Sequence, residues 1–221
     1  MRIVALETST DWCSVALWSQ GEIAALEQRA GHRHAELALP MLGQVLAQCG
    51  THAGALDAVA FGAGPGSFTG LRIACGIAQG LALSRDLPLL GVSTLEAIAE
   101  ESGAARVVAC LDARMGEVYY ACFERVDHAW HAAITPRCIP PAAAELPPGG
   151  GWIGCGSGFS AYPEQLARIV QRVLPGIHPS AIAVARLAAP RLERGEGVDA
   201  ALATPLYLRD KVAMTTEERG A

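Results

Sequence analysis

The sequence predicts an α/β protein in which a βββαβαβα unit occurs twice, with the second copy degenerate. Three observations support this prediction. The first hundred residues read as three short strands followed by alternating helices and strands. The stretch VVACLDARMGEVYYACF, from residue 107, follows the same plan as IVALETSTDWCSVALW, from residue 3: a strand ending in an acid, a turn and a second strand. A strand leading into a glycine-rich loop then occurs in each half, so the pattern indicates an internal repeat.

The first half begins with an antiparallel meander of short apolar runs joined by tight turns. We predict its strands at 2–7, 12–18 and 22–28. Apolar residues at helical spacing then predict a helix from His34 to Cys49, which Pro40 should kink or restart. The later elements are a strand at 56–61, a glycine loop, a helix at 70–84, a strand at 88–92 and a helix from 94 that Ser93 and Glu96 cap.

The second half repeats this plan with interruptions. An acid ends the first strand in both halves, as Glu7 and Asp112. WIGCGSGF (152–159) reads as a strand running into a glycine loop, and a helix is expected from Pro163. PPAAAELPPGGG (140–151) reads as a loop, because its Pro and Gly residues suit neither a helix nor a central strand.

The boundary between the halves is predicted at 101–106, where polar and small residues interrupt the pattern. The chain is thereby divided into an N-terminal domain, 1–102, and a C-terminal domain, 103–221. The polar tail at 211–221 is predicted to be flexible.

Composition excludes several classes of protein. The 221 residues carry a net charge of −5, which argues against a stand-alone nucleic-acid binder. We expect no secretory leader and no membrane-spanning stretch, which favours the cytoplasm. The seven cysteines are an odd number, lie far apart and never form C-x-x-C. They are predicted to be buried, reduced thiols, not disulfides or zinc ligands.

The most unusual stretch is the glycine loop GAGPGSFTGLR at 62–72, which lies between a strand and a helix. Backbone N–H groups at a helix N-terminus attract anions, so the loop is a candidate phosphate cradle. However, it lacks the Walker A lysine and the third glycine of the dinucleotide motif, and it does not match a nucleophile elbow. The alternative is a tight turn that starts a helix, with Ser67 or Thr69 as N-cap.

The duplicated plan is similar to that of the actin-like, sugar-kinase and Hsp70 ATPase superfamily, whose halves are RNase H-like. That resemblance implies a cleft between the halves in which the first turn and the glycine loops hold a nucleotide. Glu7, Thr8 and Ser9 are the corresponding candidate contacts, in vestigial form. In active kinases of this fold an acid at the first position orients Mg²⁺ and water. The longer side chain of Glu7, where Asp is usual, argues against retained ATPase chemistry.

Five stretches, taken in order, resemble the TsaB (YeaZ) family of bacterial proteins. They are LETSTDWCSVAL (6–17), HAELALPML (34–42), GPGSFTGLRIACGIAQGLA (64–82), LDARMGEVYYA (111–121) and PLYLR (205–209). They span nearly the whole chain, and GPGSFTGLR is specific to this family and its relatives. The family's motif loop corresponds here to Gly64, Pro65, Gly66, Ser67, Phe68, Thr69, Gly70 and Arg72.

The resemblance implies a role in making N6-threonylcarbamoyladenosine in tRNA, at the adenosine next to the anticodon. In that family the chain pairs with a paralogue, TsaD, which carries the metal and the active site, while the ATPase TsaE drives turnover. The resemblance therefore implies a non-catalytic scaffold or dimerisation subunit without a cofactor or metal of its own. It further implies a homodimer when TsaD is absent, contact with tRNA only through the complex, and no membrane association.

The helix at 70–84 has two apolar faces, whereas a helix lying on its own sheet needs one. Burial on all sides and a partner surface are the two alternatives. The resemblance favours a partner, because in the family this helix and the one before it form a bundle with the same two helices of TsaD. The predicted interface residues are Leu37, Met41, Val45, Gly70, Ile73, Ala74, Ile77, Gly80 and Leu81.

Enzymatic alternatives are also open. The residues 7–9 and the two glycine loops would serve an ATP-binding kinase or ATPase. Metal ligation by His32 and His34 conflicts with their two-residue spacing, because two ligands on one helical face need a spacing of four, and both are expected at the surface. A protease lacks support, since the sequence has no His-Glu-x-x-His motif and no arguable catalytic triad.

Overall fold

The computed structural model describes residues 1–209, and the predicted flexible tail at 211–221 lies outside the described residues. The first half comprises β1 (Arg2–Glu7), β2 (Trp12–Ser19), β3 (Glu22–Arg29), α1 (His34–Gln48), β4 (Ala58–Gly64), α2 (Phe68–Leu83), β5 (Leu89–Ser93) and α3 (Thr94–Ser102). The second half comprises β6 (Arg106–Arg114), β7 (Glu117–Val126), β8 (Ala129–Ile139), β9 (Ile153–Cys155), α4 (Ser157–Ala161), α5 (Pro163–Leu166), β10 (Arg172–Leu174) and α6 (Ala181–Glu193).

The two halves form two five-stranded sheets with the same strand order. The first sheet reads β3-β2-β1-β4-β5 and the second reads β8-β7-β6-β9-β10. In each sheet the first three strands pair antiparallel, and the last two continue the sheet in parallel beyond the first strand. This shared topology confirms the predicted α/β fold of two RNase H-like halves.

The second half lacks a counterpart of α1, and this makes it the degenerate copy. Where α1 would follow the third strand, the predicted Pro/Gly loop contains only a 3-10 turn at Pro141–Ala143. The helix predicted from Pro163 is the single turn α5. The pattern did not indicate β8, β10 or α6. An edge strand such as β8 is exposed along most of its length, so it shows no clear apolar alternation.

Two helices pack across the predicted boundary between the halves. α1 and α2 cover one face of the first sheet, while α6 from the second half covers the other face. α3 belongs to the first half in sequence, but its Leu95 and Ile98 pack into the core of the second sheet. Each half therefore contributes a helix to the core of the other. The division of the chain into domains 1–102 and 103–221 stays a prediction.

Two helices of the first half differ from the predictions. α1 continues through Pro40, so the predicted restart does not occur. Pro40 lacks the N–H that would bond to the carbonyl of Glu36, and both residues lie on the exposed side, where water can serve that carbonyl. α2 begins at Phe68, two residues earlier than predicted. Within residues 1–209, no helix has the length and apolar character needed to cross a bilayer.

Candidate functional site

The glycine loop lies directly against the turn that follows β1. The backbone N–H of Ser67 donates to the carbonyl oxygen of Ser9 at 2.7 Å. The Thr8 hydroxyl donates to the carbonyl oxygen of Gly70, also at 2.7 Å. A Cβ on Gly66 would lie less than 3.0 Å from the Ser9 carbonyl oxygen. A Cβ on Gly70 would overlap the Thr8 carbonyl oxygen in the same way. These two glycines therefore allow the close approach of loop and turn.

The loop leads into a capped helix. Ser67 is the N-cap of α2, and its hydroxyl accepts a hydrogen bond from the Gly70 N–H at 3.3 Å. On the outer side of the loop, the N–H of Leu206 donates to the carbonyl oxygen of Ala63 at 2.7 Å, so the C-terminal segment crosses it. Of the two predicted caps, Ser67 is confirmed. Packing and capping thus account for this loop without a bound phosphate.

Glu7 ends β1 and is fully buried. One carboxylate oxygen accepts a hydrogen bond from the Ser9 N–H at 2.6 Å, and the other has no hydrogen-bond partner among the described residues. Burial raises the pKa of Glu7 above its ordinary value of 4.5, although hydrogen bonds from Ser9 and Thr8 act in the opposite direction. Burial therefore disfavours the charged form of this carboxyl, which is the form that would hold a cation.

The longer side chain of Glu7 fits because residue 62 is glycine. A Cβ on Gly62 would lie less than 3.0 Å from the Glu7 carboxylate. Ser9 also has a buried hydroxyl without a hydrogen-bond partner in the described chain. Glu7 and Ser9 therefore form a tightly packed polar cluster beneath the cleft. Two of its oxygen atoms lack a hydrogen-bond partner in the described chain.

A cleft of about 840 Å³ opens between the two sheets, as the resemblance to the actin-like superfamily implied. Both halves line it, including Ser9, Trp12, Ser67, Asp112, Ser157 and His178. Of the three predicted nucleotide contacts, Ser9 borders the cleft, whereas the fully buried Glu7 and Thr8 do not.

One wall of the cleft is fixed by an aromatic and ionic contact that the sequence pattern did not indicate. The rings of Trp12 and His178 stack with centroids 4.3 Å apart, and His178 bonds to the Glu27 carboxylate at 2.9 Å. The bond to Glu27 raises the pKa of His178. This contact ties the segment before α6 to the first sheet.

Residues 206–209 of the C-terminal segment border the cleft and contact both halves. Arg72, at the start of α2, donates from Nε to the Tyr207 hydroxyl at 3.1 Å. Arg209 donates to the carboxylate of Glu117, in the second half, at 2.5 Å. The PLYLR motif was the available sequence signal for this segment, but spacing alone did not show what it contacts.

α2 presents one buried face and one exposed face. The exposed face carries Gly76, Gly80 and Leu83, and Leu83 keeps 62% of its surface exposed. Ile73 and Ile77 are half-buried beside it. Apart from the neighbouring backbone of the helix itself, no atom of the described chain lies within 4 Å of a Cβ built on Gly76 or Gly80. The alternative that this helix is buried on all sides is therefore wrong. The buried face consists of Gly70, Leu71, Ala74, Cys75, Ala78 and Ala82.

The predicted interface residues separate into core and surface positions. Met41, Val45, Gly70 and Ala74 are buried in this chain, so their assignment to an open surface is corrected. The helical spacing of these positions could not reveal which apolar face meets the sheet. Gly80 is exposed. The half-buried positions are Leu37, Ile73, Ile77 and Leu81.

His34 corrects a further expectation, because it is buried instead of exposed. Its Nε2 lies 2.8 Å from the carbonyl oxygen of Thr10, so it joins α1 to the turn after β1. His32 is exposed as predicted. Among residues 1–209, no three His, Cys, Asp or Glu side chains are grouped as metal ligands.

The cysteines are free thiols, and five of the seven are buried as predicted. Cys49 is exposed and Cys138 is half-buried, so the prediction of burial is wrong for these two. Burial raises the pKa of Cys13 to about 11 and that of Cys155 to about 12, so these thiols stay protonated and unreactive near neutral pH.

Comparisons with known proteins agree with the fold described above. The family model described as TsaD, tRNA N6-adenosine threonylcarbamoyltransferase, matches residues 26–154. The solved structure of YeaZ from Pseudomonas aeruginosa superposes with a TM-score of 0.89 at 39% identity, over 94% of this chain and 99% of that one.

Two relatives carry the same name, tRNA threonylcarbamoyladenosine biosynthesis protein TsaB. The Escherichia coli (strain K12) protein is 40% identical over 96% of this chain and 96% of its own length. The Haemophilus influenzae protein is 35% identical over 96% of this chain and 95% of its own length. With this identity along nearly the full length of both relatives, the chain belongs to the TsaB (YeaZ) family of tRNA threonylcarbamoyladenosine biosynthesis proteins.

Proposed function

We propose that this chain is a non-catalytic subunit that pairs with a TsaD protein through the exposed face of α2. The observation that carries this proposal is the open apolar surface of that helix. Gly76 and Gly80 leave no side chain in the way of a second helix, and Ile73 and Ile77 offer apolar contact beside them. Apolar surface of this kind, left in water, favours association.

The choice of TsaD as partner is supported by the family match. The TsaD model matches residues 26–154, a range that includes α1 and α2. A TsaD protein therefore has counterparts of both helices. Two related chains can pair the same helices about an approximate twofold axis, as symmetric dimers do. The same reasoning gives a homodimer of this chain when TsaD is absent.

The non-catalytic role is supported by the turn after β1. Glu7 is buried, which raises its pKa, and the Thr8 hydroxyl is bonded to the backbone of α2. These groups serve packing. In the proposed cytoplasmic complex, TsaD transfers the threonylcarbamoyl group to N6 of adenosine and TsaE supplies ATPase activity. The net charge of −5 fits a subunit that meets tRNA only through the complex.

Reconstitution of tRNA modification tests the proposal. TsaD, TsaE, ATP, tRNA and the threonylcarbamoyl–AMP mixed anhydride as donor, which leaves AMP on transfer, should give full modification only when this chain is added. Light scattering should show this chain bound to TsaD. Full activity without the chain, or separate elution of the two proteins, would overturn it.

The alternative function, an ATP-binding kinase or ATPase, is favoured by the cleft between the halves. Calorimetric titration of the isolated chain with Mg·ATP separates the two functions. We expect no turnover of ATP by the chain alone. Turnover that disappears in a folded Glu7→Gln variant would support the enzyme instead.

A further inference from the structure

The C-terminal segment lies along one flank of α2. The side-chain amide of Gln79 donates to the carbonyl oxygens of Ala200 and Ala203, each at 3.1 Å. Two turns nearer the start of the helix, Arg72 donates to the Tyr207 hydroxyl. The segment therefore runs antiparallel to α2 and is held to it at both ends.

This segment adds apolar surface beside the open face of α2. Leu202, in the 3-10 turn Ala200–Leu202, keeps 73% of its surface exposed, and Leu83 keeps 62%. Leu83 lies one turn beyond Gln79, on the same side of the helix, because residues four apart are neighbours on a helix surface. At the other end, the Arg72 guanidinium lies 3.6 Å from the centroid of the Phe68 ring, next to Tyr207.

We infer that the segment 200–207 forms one wall of the surface that binds TsaD, and that Leu202 contacts the partner helix directly. This inference rests on the proposed function. Gly76 and Gly80 form the floor of a shallow groove, and the half-buried Ile73 and Ile77 lie on its opposite side. A helix seated on the glycines would meet Leu202 at the rim.

We assign the partner at this surface as a helix of TsaD, because the TsaD model covers α1 and α2 of this chain but not the segment 200–207. The TsaD model matches residues 26–154, and the segment 200–207 lies beyond that range. The wall is therefore a contribution of this chain to the pair. Burial of a mostly exposed leucine against a partner helix removes apolar surface from water and would stabilise the pair.

Calorimetric titration of TsaD with the full chain tests this inference. Leu202→Asp should weaken binding at least about tenfold, since it places a charge against an apolar contact. Leu202→Ala should weaken it in the same direction by a smaller factor. Because Leu202 is mostly exposed, both variants should melt at the temperature of the unsubstituted chain. Val126→Asp is the matched control: Val126 is also exposed, at 44%, but ends β7 in the second sheet, and binding should be unchanged.

Two outcomes would overturn the inference, and only one of them would also overturn the proposed function. If Leu202→Asp binds TsaD normally while Gly80→Arg does not, the wall assignment is wrong and the proposed function stands. If both variants bind normally, the α2 surface is not the TsaD site and the proposed function fails with the inference.

Discussion

At the scale of single residues, Glu7 and Gly62 form a matched pair. The Glu7 carboxylate occupies the space that a Cβ on residue 62 would need. Gly62→Ala should therefore destabilise the fold by about 1–3 kcal/mol, the usual cost of overpacking a core. Adding Glu7→Asp, which shortens the acid, should restore most of that loss. Urea unfolding of the single and double variants measures the coupling.

Gly43→Ala is the control for this pair, because within the described chain no atom lies within 4 Å of a Cβ at that exposed helical position. It should leave the protein as stable as before, or slightly more stable. If Gly62→Ala costs the same free energy with and without Glu7→Asp, the two residues are not matched and this account of Glu7 is wrong.

Glu7 also gives the fold a pH dependence of definite sign. Its pKa in the folded chain is raised by burial, so between 4.5 and that raised value the unfolded chain has released a proton that the folded chain keeps. The free energy of unfolding should therefore fall as pH rises in this window, by at most about 1.4 kcal/mol per pH unit. Glu7→Gln removes this contribution.

The free energy of unfolding of the unsubstituted chain and of the Glu7→Gln variant, measured from about pH 4 to about pH 8, tests this pH dependence. The variant should gain stability relative to the unsubstituted chain as pH rises. A difference between the two proteins that does not change with pH would contradict a raised pKa of Glu7 in the folded chain.

Residue roles were predictable where they depend on local order. Ser67 as a cap and Glu7 as the acid ending the first strand follow from adjacent residues. The environment of Glu7 was not predictable, since it depends on Gly62, more than fifty positions away. Met41 and Val45 were misplaced because helical spacing gives the period of a face but not its direction.

At the scale of elements, the N-terminus of α2 packs tightly against the turn after β1, whereas one face of the helix is exposed along its length. Gly70→Ala should destabilise the fold by about 1–3 kcal/mol, because its Cβ would overlap the backbone oxygen of Thr8. Gly80→Ala, on the same helix, should stabilise the monomer by about 0.5–1 kcal/mol, because alanine favours the helix and no described atom outside the helix backbone obstructs it. Thermal and urea unfolding of both variants measure the contrast. Equal effects at the two positions would contradict the assignment of faces.

The elements of the first half were predictable because each has its own apolar period and turn signals. The second half was harder for a physical reason. β8 is an exposed edge strand, β10 has only three residues, and the counterpart of α1 is replaced by a Pro/Gly loop. Such elements are stabilised mainly by their neighbours in the fold, so the sequence carries little local signal for them.

At the scale of the whole molecule, the duplication was predictable and the packing between halves was not. Repeated strand–acid–turn–strand stretches indicate two equal sheets, as observed. The exchange of α3 and α6 between the halves leaves no local pattern, because it depends on which sheet face remains uncovered. The same holds for the C-terminal segment, whose contacts join residues more than ninety positions apart.

The central claim about the whole molecule is that the open face of α2 binds TsaD. Calorimetric titration of TsaD with a Gly80→Arg variant of the full chain tests it most directly, beside thermal melting of the variant. Apart from the neighbouring backbone of the helix, no described atom lies within 4 Å of a Cβ at Gly80, so the arginine should extend into solvent and the variant should keep a cooperative melting transition. We expect a folded variant that binds TsaD at least about 100-fold more weakly, because a long charged side chain blocks the close helix contact. A folded variant that binds TsaD with unchanged affinity would contradict the claim.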